Sequence, residues 1–150
     1  YFDNLIKERN LISIFFQESY SQLSGLVLQE DAKLELKENF PPFMKTISLL
    51  KLDKIVTCSP FHLSFGEIKI FTLLKTLFTG SDFFLLDEPF VALDDNWKKV
   101  VFKLMLSLNQ MGKTFLIVSH EKQFETFYSS EFEIKNKKLI YYDRKNQSFL

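Results

Sequence analysis

The stretch Phe83-Phe84-Leu85-Leu86-Asp87-Glu88-Pro89 constrains this chain more than any other. Four consecutive apolar residues suit a central strand of a parallel sheet, which is covered on both faces and lacks the alternation of a half-solvated strand. The run stops at two adjacent acids and a proline, so two carboxylates stand at the C-terminal end of the strand. In open parallel sheets that edge is where ligands bind. A solvated turn would also account for an acid pair; its neighbours argue for a site. Upstream, Leu63-Ser64-Phe65-Gly66-Glu67 opens a helix with a Ser-x-Gly turn. Downstream come Asp94 in Ala-Leu-Asp and Val118-Ser119-His120 at the end of the next apolar run.

The remaining elements fall around these motifs. Residues 1–10 are polar, and Leu11–Phe16 is a short apolar run that suits a buried strand, ending at Gln17. Asp31–Asn39 is rich in helix formers, Pro41-Pro42 breaks it, and Phe43–Lys54 forms a second helix, with Phe43, Ile47, Leu50 and Ile55 near helical spacing. A helix over Glu67–Thr79 carries an amphipathic stripe of Ile68, Phe71, Leu74, Leu77 and Phe78, and Gly80-Ser81-Asp82 ends it. Asp94-Asp95-Asn96 caps a helix from Trp97 to about Gln110, with Val100, Val101, Leu104 and Leu108 facing inward. Thr114–Val118 is the next strand and Glu121–Ser129 a short helix. Phe132–Lys135 and Leu139–Tyr142 form a hairpin around Asn136-Lys137, and the tail from Asp143 is polar. Strands alternating with helices imply an α/β fold with parallel βαβ units. Gln17, Asp87-Glu88 and His120 then all lie at C-terminal strand ends, where one site can draw on them together.

Composition narrows the function. A chain of 150 residues that is 46 % apolar can bury the core of one domain. Lys+Arg and Asp+Glu both number 19, so no basic footprint points to nucleic acid. Cys58 is alone, which excludes an internal disulfide, and His62 has no companion at metal-ligand spacing. No apolar run approaches the roughly 20 residues of a membrane-spanning helix, so the chain reaches any membrane through a partner. The 18 Phe and 4 Gly indicate compositional drift toward Phe. The first residue is Tyr and the first segment enters in mid-pattern, which reads as part of a longer sequence.

In this order, the motifs resemble the ATPase subunit of ABC transporters: Gln17 opening the Q-loop, Leu63–Glu67 as signature, Leu85–Glu88 as Walker B, Asp94 in the D-loop and His120 as switch histidine. Gln17, Gln22, Leu23, Glu30 and Asp31 further match the Q-loop pattern of cobalt, nickel and vitamin importers of the energy-coupling factor type, although Glu18-Ser19-Tyr20-Ser21 stands where that pattern has Asn-Pro-Asp-Asp. Pro60, three residues before Leu63, is common in the same importers. The 45 residues between Gln17 and Leu63 (18–62) leave no room for the long coiled coil of SMC-type and repair-type relatives. The fold implied is a P-loop NTPase-type parallel sheet with an inserted small helical subdomain. Residues 1–24 and 80–150 would belong to the catalytic core and 25–79 to the helical subdomain with its signature helix.

The resemblance also implies roles. Asp87 and Gln17 serve Mg²⁺, Glu88 orients or deprotonates the attacking water, and His120 contacts the γ-phosphate. Ser64, Gly66 and Glu67 close over ATP held by a second ABC ATPase subunit, identical or different, and Asp94 crosses that interface. Phe65 replaces the first of two usual glycines and adds bulk there; Ile70 stands where an arginine is common. No G-x-x-x-x-G-K-[ST] occurs in the 150 residues. In relatives that phosphate loop lies upstream of the Q-loop strand, so the 150 residues alone are expected to bind ATP weakly or not at all. The expected function is ATP hydrolysis that powers import of a metal ion or vitamin through a transmembrane permease, at the cytoplasmic face of the cell membrane and without nucleic acid. The alternatives are other transporter ATPases, including haem or lipoprotein exporters, a non-transport ABC ATPase, and a non-catalytic ABC remnant. Val91-Ala92 disfavours translation-type proteins, which carry Asn-His there.

Overall fold

The computed structural model describes residues 11–23, 27–121 and 129–143. These fall into two compact units, one ending at Ser119 and one beginning at His120, and each is described by itself.

The first unit is built on a parallel sheet of β1 (Ile12–Phe15), β2 (Phe83–Asp87) and β3 (Thr114–Val118), in the order β1-β2-β3. The Asp-Glu-Pro strand is therefore central, as its unbroken apolar run requires. Ile12 pairs with Phe83 and Phe83 with Thr114, which brings Phe15 beside Leu86 and Val118 beside Asp87. Phe84 and Leu86 are fully buried, whereas Phe83 and Leu85 are half-buried. β1 departs from the expected buried strand. Only its Phe15 is buried, while Leu11, Ile12, Ile14 and Phe16 are exposed. Among the described strands β1 pairs with β2 alone.

Helices α1 (Leu28–Leu36), α2 (Phe40–Leu49) and the single-turn α3 (Asp53–Val56) separate β1 from the turn at Ser64. Here the sequence reading needs two corrections. Pro41-Pro42 do not stand in a break but in the first turn of α2, where the missing N–H groups would have no helical acceptor. The helix expected over Phe43–Lys54 stops at Leu49, because Lys51 adopts a left-handed φ of 59° that reverses the chain.

Helix α4 (Phe65–Leu77) begins two residues earlier than expected, with Ser64 as its N-cap. It is not amphipathic: all ten residues from Ile68 to Leu77 are buried. Ile70 and Leu73 lie off the stripe, and the helix is enclosed between β1 on one side and α2 and α5 on others. Phe43 of α2 packs edge-on against Phe71 and Phe78, with ring centroids 5.5 and 5.8 Å apart, a favoured quadrupolar arrangement. Enclosure also buries Lys69 and Lys75, and charges are retained in such places only with partners. Helix α5 (Asp95–Gln110) turns Val101, Phe102 and Met105 inward, while the expected Val100, Leu104 and Leu108 are half-buried. The buried stripe is thus rotated by about one residue, and Val101 and Met105 form its i, i+4 pair.

The second unit holds the antiparallel hairpin β4 (Ser130–Lys135) and β5 (Lys138–Asp143). Asn136 and Lys137 both have positive φ, 52° and 61°, the signature of the two-residue turn whose twist matches paired strands. The helix expected over Glu121–Ser129 lies almost wholly outside the described residues, as do residues 1–10 and the tail beyond Asp143. Among the described residues no helix is long and apolar enough to cross a membrane.

Candidate functional site

Asp87 is the last residue of β2, and Glu88 leaves the sheet in the left-handed region with φ 46°. That conformation costs a non-glycine residue roughly 1–2 kcal/mol. It is held by the Glu88 N–H, which donates to the Val118 carbonyl at 2.8 Å, and by the burial of Pro89 and Phe90 directly after it. The turn leaves Asp87 and Glu88, both half-buried, in succession at the C-terminal edge of the sheet.

Gln17 reaches the same edge from β1. It lines a hollow of about 270 Å³ together with Phe16, Glu18, Ser21 and Asp87. The loop carrying it is closed by Gln22, whose Oε1 accepts from the Phe16 N–H at 3.0 Å and whose Nε2 donates to the Ile14 carbonyl at 2.7 Å. The side chain of Gln22 thus acts as a further partner for the end of β1. Two acids, an amide and a hydroxyl residue line one hollow, and their oxygens are hard donors of the kind Mg²⁺ prefers. Among the described residues no group of three or more His, Cys, Asp or Glu could hold a metal by itself. Such a sparse set fits an ion that takes its remaining ligands from phosphate and water.

The turn at Ser64 is organised by a capping box. Ser64 is extended (φ −67°, ψ 158°), its Oγ accepts from the Glu67 N–H at 3.3 Å, and its own N–H donates to Glu67 Oε2 at 2.8 Å. The Ser64 hydroxyl lies 2.6 Å from the same oxygen. These bonds favour the ionised carboxylate, with the Ser64 hydroxyl contributing most and its amide next, so Glu67 titrates below its ordinary 4.5. The helix start expected to receive a phosphate is therefore engaged by the chain's own carboxylate. Gly66 has a packing reason to be glycine, since a Cβ there would lie 2.8 Å from the Ala92 carbonyl oxygen. Ala92 has a positive φ of 64°, and the turn at Ser64 and the loop before Asp94 meet at this point.

Asp94 is the N-cap of α5, accepting from the Asn96 and Trp97 N–H groups at 2.9 and 2.8 Å through Oδ1. Gln17 and Asp87 are brought together, Glu88 is adjacent to Asp87, and Ser64, Gly66 and Glu67 form a separate cluster with the Ala92 carbonyl beside it. His120 is the first residue of the second unit, two residues beyond Val118. Two contributors escaped the sequence reading: the clamp made by Gln22 and the buried Lys75, which bonds to it. Two lysines in a helix whose other residues from Ile68 to Leu77 are apolar or threonine were the available sign.

A parallel sheet with an acid pair at the end of its central strand, preceded by a helical insert that returns through a capped, enclosed helix, has the architecture of an ATP-binding cassette. A cassette solved as a dimer in a post-hydrolysis state with ADP and phosphate matches 94 % of this chain and 66 % of its own, with a TM-score of 0.77 at 22 % identity. No protein-family profile matches the chain. The energy-coupling factor transporter ATP-binding protein EcfA3 of Oenococcus oeni is 29 % identical over 141 residues, covering 89 % of this chain and 49 % of its own length. Its counterpart EcfA2 of Mycoplasma mobile is 32 % identical over 124 residues, covering 77 % and 40 %. The chain's relatives are thus ATP-binding proteins of ABC transporters, energy-coupling factor subunits among them, and its fold is that of the ABC ATPase cassette. The chain spans about half the length of the curated relatives it matches.

Proposed function

We propose that this chain is part of an ATP-hydrolysing subunit that powers import of a small solute, a metal ion or vitamin, through a membrane permease. The observation that carries this reading is the shared hollow of Gln17 and Asp87 at the strand ends, with Glu88 following Asp87 in a turn pinned by its own N–H. Phosphoryl transfer needs positioning and charge stabilisation more than covalent chemistry, and these residues offer both. Asp87 and Gln17 would hold Mg²⁺, which offsets phosphate charge when bound. Glu88 would orient a water and accept its proton. His120 is assigned to the γ-phosphate, and Ser64, Gly66, Glu67 and Asp94 to the interface with a second ATPase subunit. Residues 1–24 and 80–150 serve as part of the catalytic core and 25–79 as the helical subdomain. A role in transport is supported by relatives named as energy-coupling factor transporter ATP-binding proteins; import, and a place at the cytoplasmic face of the membrane, are part of this proposal.

A non-catalytic role is the second reading, favoured by Phe65 at the signature position and by the engagement of Ser64 with Glu67. Steady-state ATP turnover by the full-length protein decides between them. Glu88→Gln is expected to lower turnover by roughly 10²–10⁴-fold, the usual contribution of a general base, while ATP stays bound. Unchanged hydrolysis removes Glu88 from that role, and no hydrolysis by the parent protein favours the second reading.

A further inference from the structure

Helix α4 carries a buried cation that the assigned roles do not use. Lys75 is 3 % exposed. Its Nζ donates to Asp31 Oδ2 at 2.6 Å and to the Gln22 carbonyl at 3.1 Å, and it pairs with Glu35 Oε2 at 2.6 Å. Asp31 and Glu35 belong to α1, Lys75 to α4, and Gln22 to the loop after β1, so one ammonium with three donors joins three segments. Gln22 is also the residue whose side chain clamps the Phe16 N–H and the Ile14 carbonyl. Its backbone is thus fixed from one side by Lys75 and its amide from the other by β1.

We propose that Lys75 is a positioning residue for the Gln17 loop: its ammonium anchors Gln22, and Gln22 locks the closed loop that presents Gln17 beside Asp87. This rests on the reading of Gln17 and Asp87 as a cation site. A surface ion pair would contribute little, but a buried one that loses a partner leaves an uncompensated charge, so the contact has a steep dependence on its geometry. Asp31 and Glu35 hold the Lys75 ammonium within reach of the Gln22 carbonyl, so α1 bears on the Gln17 loop through Lys75. The helical segment and the strand-end site are then linked through one side chain.

The test uses Lys75→Met and Lys75→Arg in the full-length protein, with two readouts. Hydrogen exchange at the Phe16 amide in Lys75→Met should rise at least about tenfold, while α5 amides keep the parent rates, as expected for a local opening and not a global one. The Mg²⁺ concentration that half-activates ATP hydrolysis should rise about fivefold or more, with KM for ATP within about twofold, because only the cation site is displaced. Lys75→Arg should keep both readouts near the parent values. A folded Lys75→Met protein with parent-like exchange at Phe16 overturns the proposal, as does exchange raised equally throughout the unit. Where Lys75→Met does not fold, Asp31→Asn replaces it, with exchange at Phe16 raised about threefold or more expected and unchanged exchange overturning the link. A parent protein that hydrolyses no ATP would defeat the functional reading alone, since the exchange comparison decides the brace without it.

Discussion

The Glu88 N–H donates to the Val118 carbonyl across the ends of β2 and β3, at 2.8 Å. This bond extends the sheet by one rung past the strand and holds Glu88 in a left-handed conformation that its side chain does not favour. The surrounding sheet thus stabilises a strained turn that sets Glu88 beside Asp87.

The contact between Gly66 and the Ala92 carbonyl predicts an intolerant position. Gly66→Ala places a methyl 2.8 Å from a backbone oxygen, and the chain must shift to relieve it. Destabilisation of about 1–3 kcal/mol is expected from such overpacking, read as a lower denaturant midpoint with an unchanged slope. A midpoint equal to that of the parent would show that the two loops do not meet.

The capping box gives a pH dependence of known sign. Glu67 has a lowered folded-state pKa, so its contribution is present above the unfolded value of 4.5 and is lost as pH falls through the folded one. Ser64→Ala should cost about 1 kcal/mol at neutral pH and should flatten the loss of stability below 4.5. Denaturant unfolding at pH 7 and pH 3 checks both; a Ser64→Ala protein with the parent's acid dependence would contradict the assignment.

The hairpin turn predicts a stabilising change. Lys137 stands at φ 61°, where glycine is the unstrained residue, so Lys137→Gly creates the favoured Asn-Gly pair. A gain of up to about 1 kcal/mol is expected, the left-handed cost relieved less the backbone entropy that glycine loses, measured as slower amide exchange across β4 and β5. Faster exchange would mean that the turn is not of this type.

What the residues disclosed follows the range of the interactions involved. The central place of Phe83–Asp87, the strand Thr114–Val118 and the hairpin about Asn136-Lys137 rest on local patterns, and they stand as expected. Asp94 as N-cap was equally readable. Helix α4 was misjudged because its enclosure is a tertiary fact: Ile70 and Leu73 already filled the supposed polar face, but only the packing of β1, α2 and α5 explains it. Ser64-Phe65-Gly66-Glu67 also contains the S-x-x-E capping pattern, passed over in favour of a phosphate role for the same residues. Lys75 and Asp31 are 44 positions apart, and the Gln22 clamp depends on a backbone register, so neither could be found from spacing. The shared hollow of Gln17 and Asp87 was anticipated from one rule, that ligands gather at the C-terminal ends of parallel strands.

Whether Gln17 and Asp87 serve one ion is measured most directly by calorimetric titration of Mg²⁺ into nucleotide-saturated, full-length Glu88→Gln protein. Gln17→Ala and Asp87→Asn in that background should each weaken Mg²⁺ binding by about tenfold or more, and the double substitution should cost less than the sum of the two, since the residues act on one ligand. Parent-like Mg²⁺ affinity in both single variants would contradict the shared site.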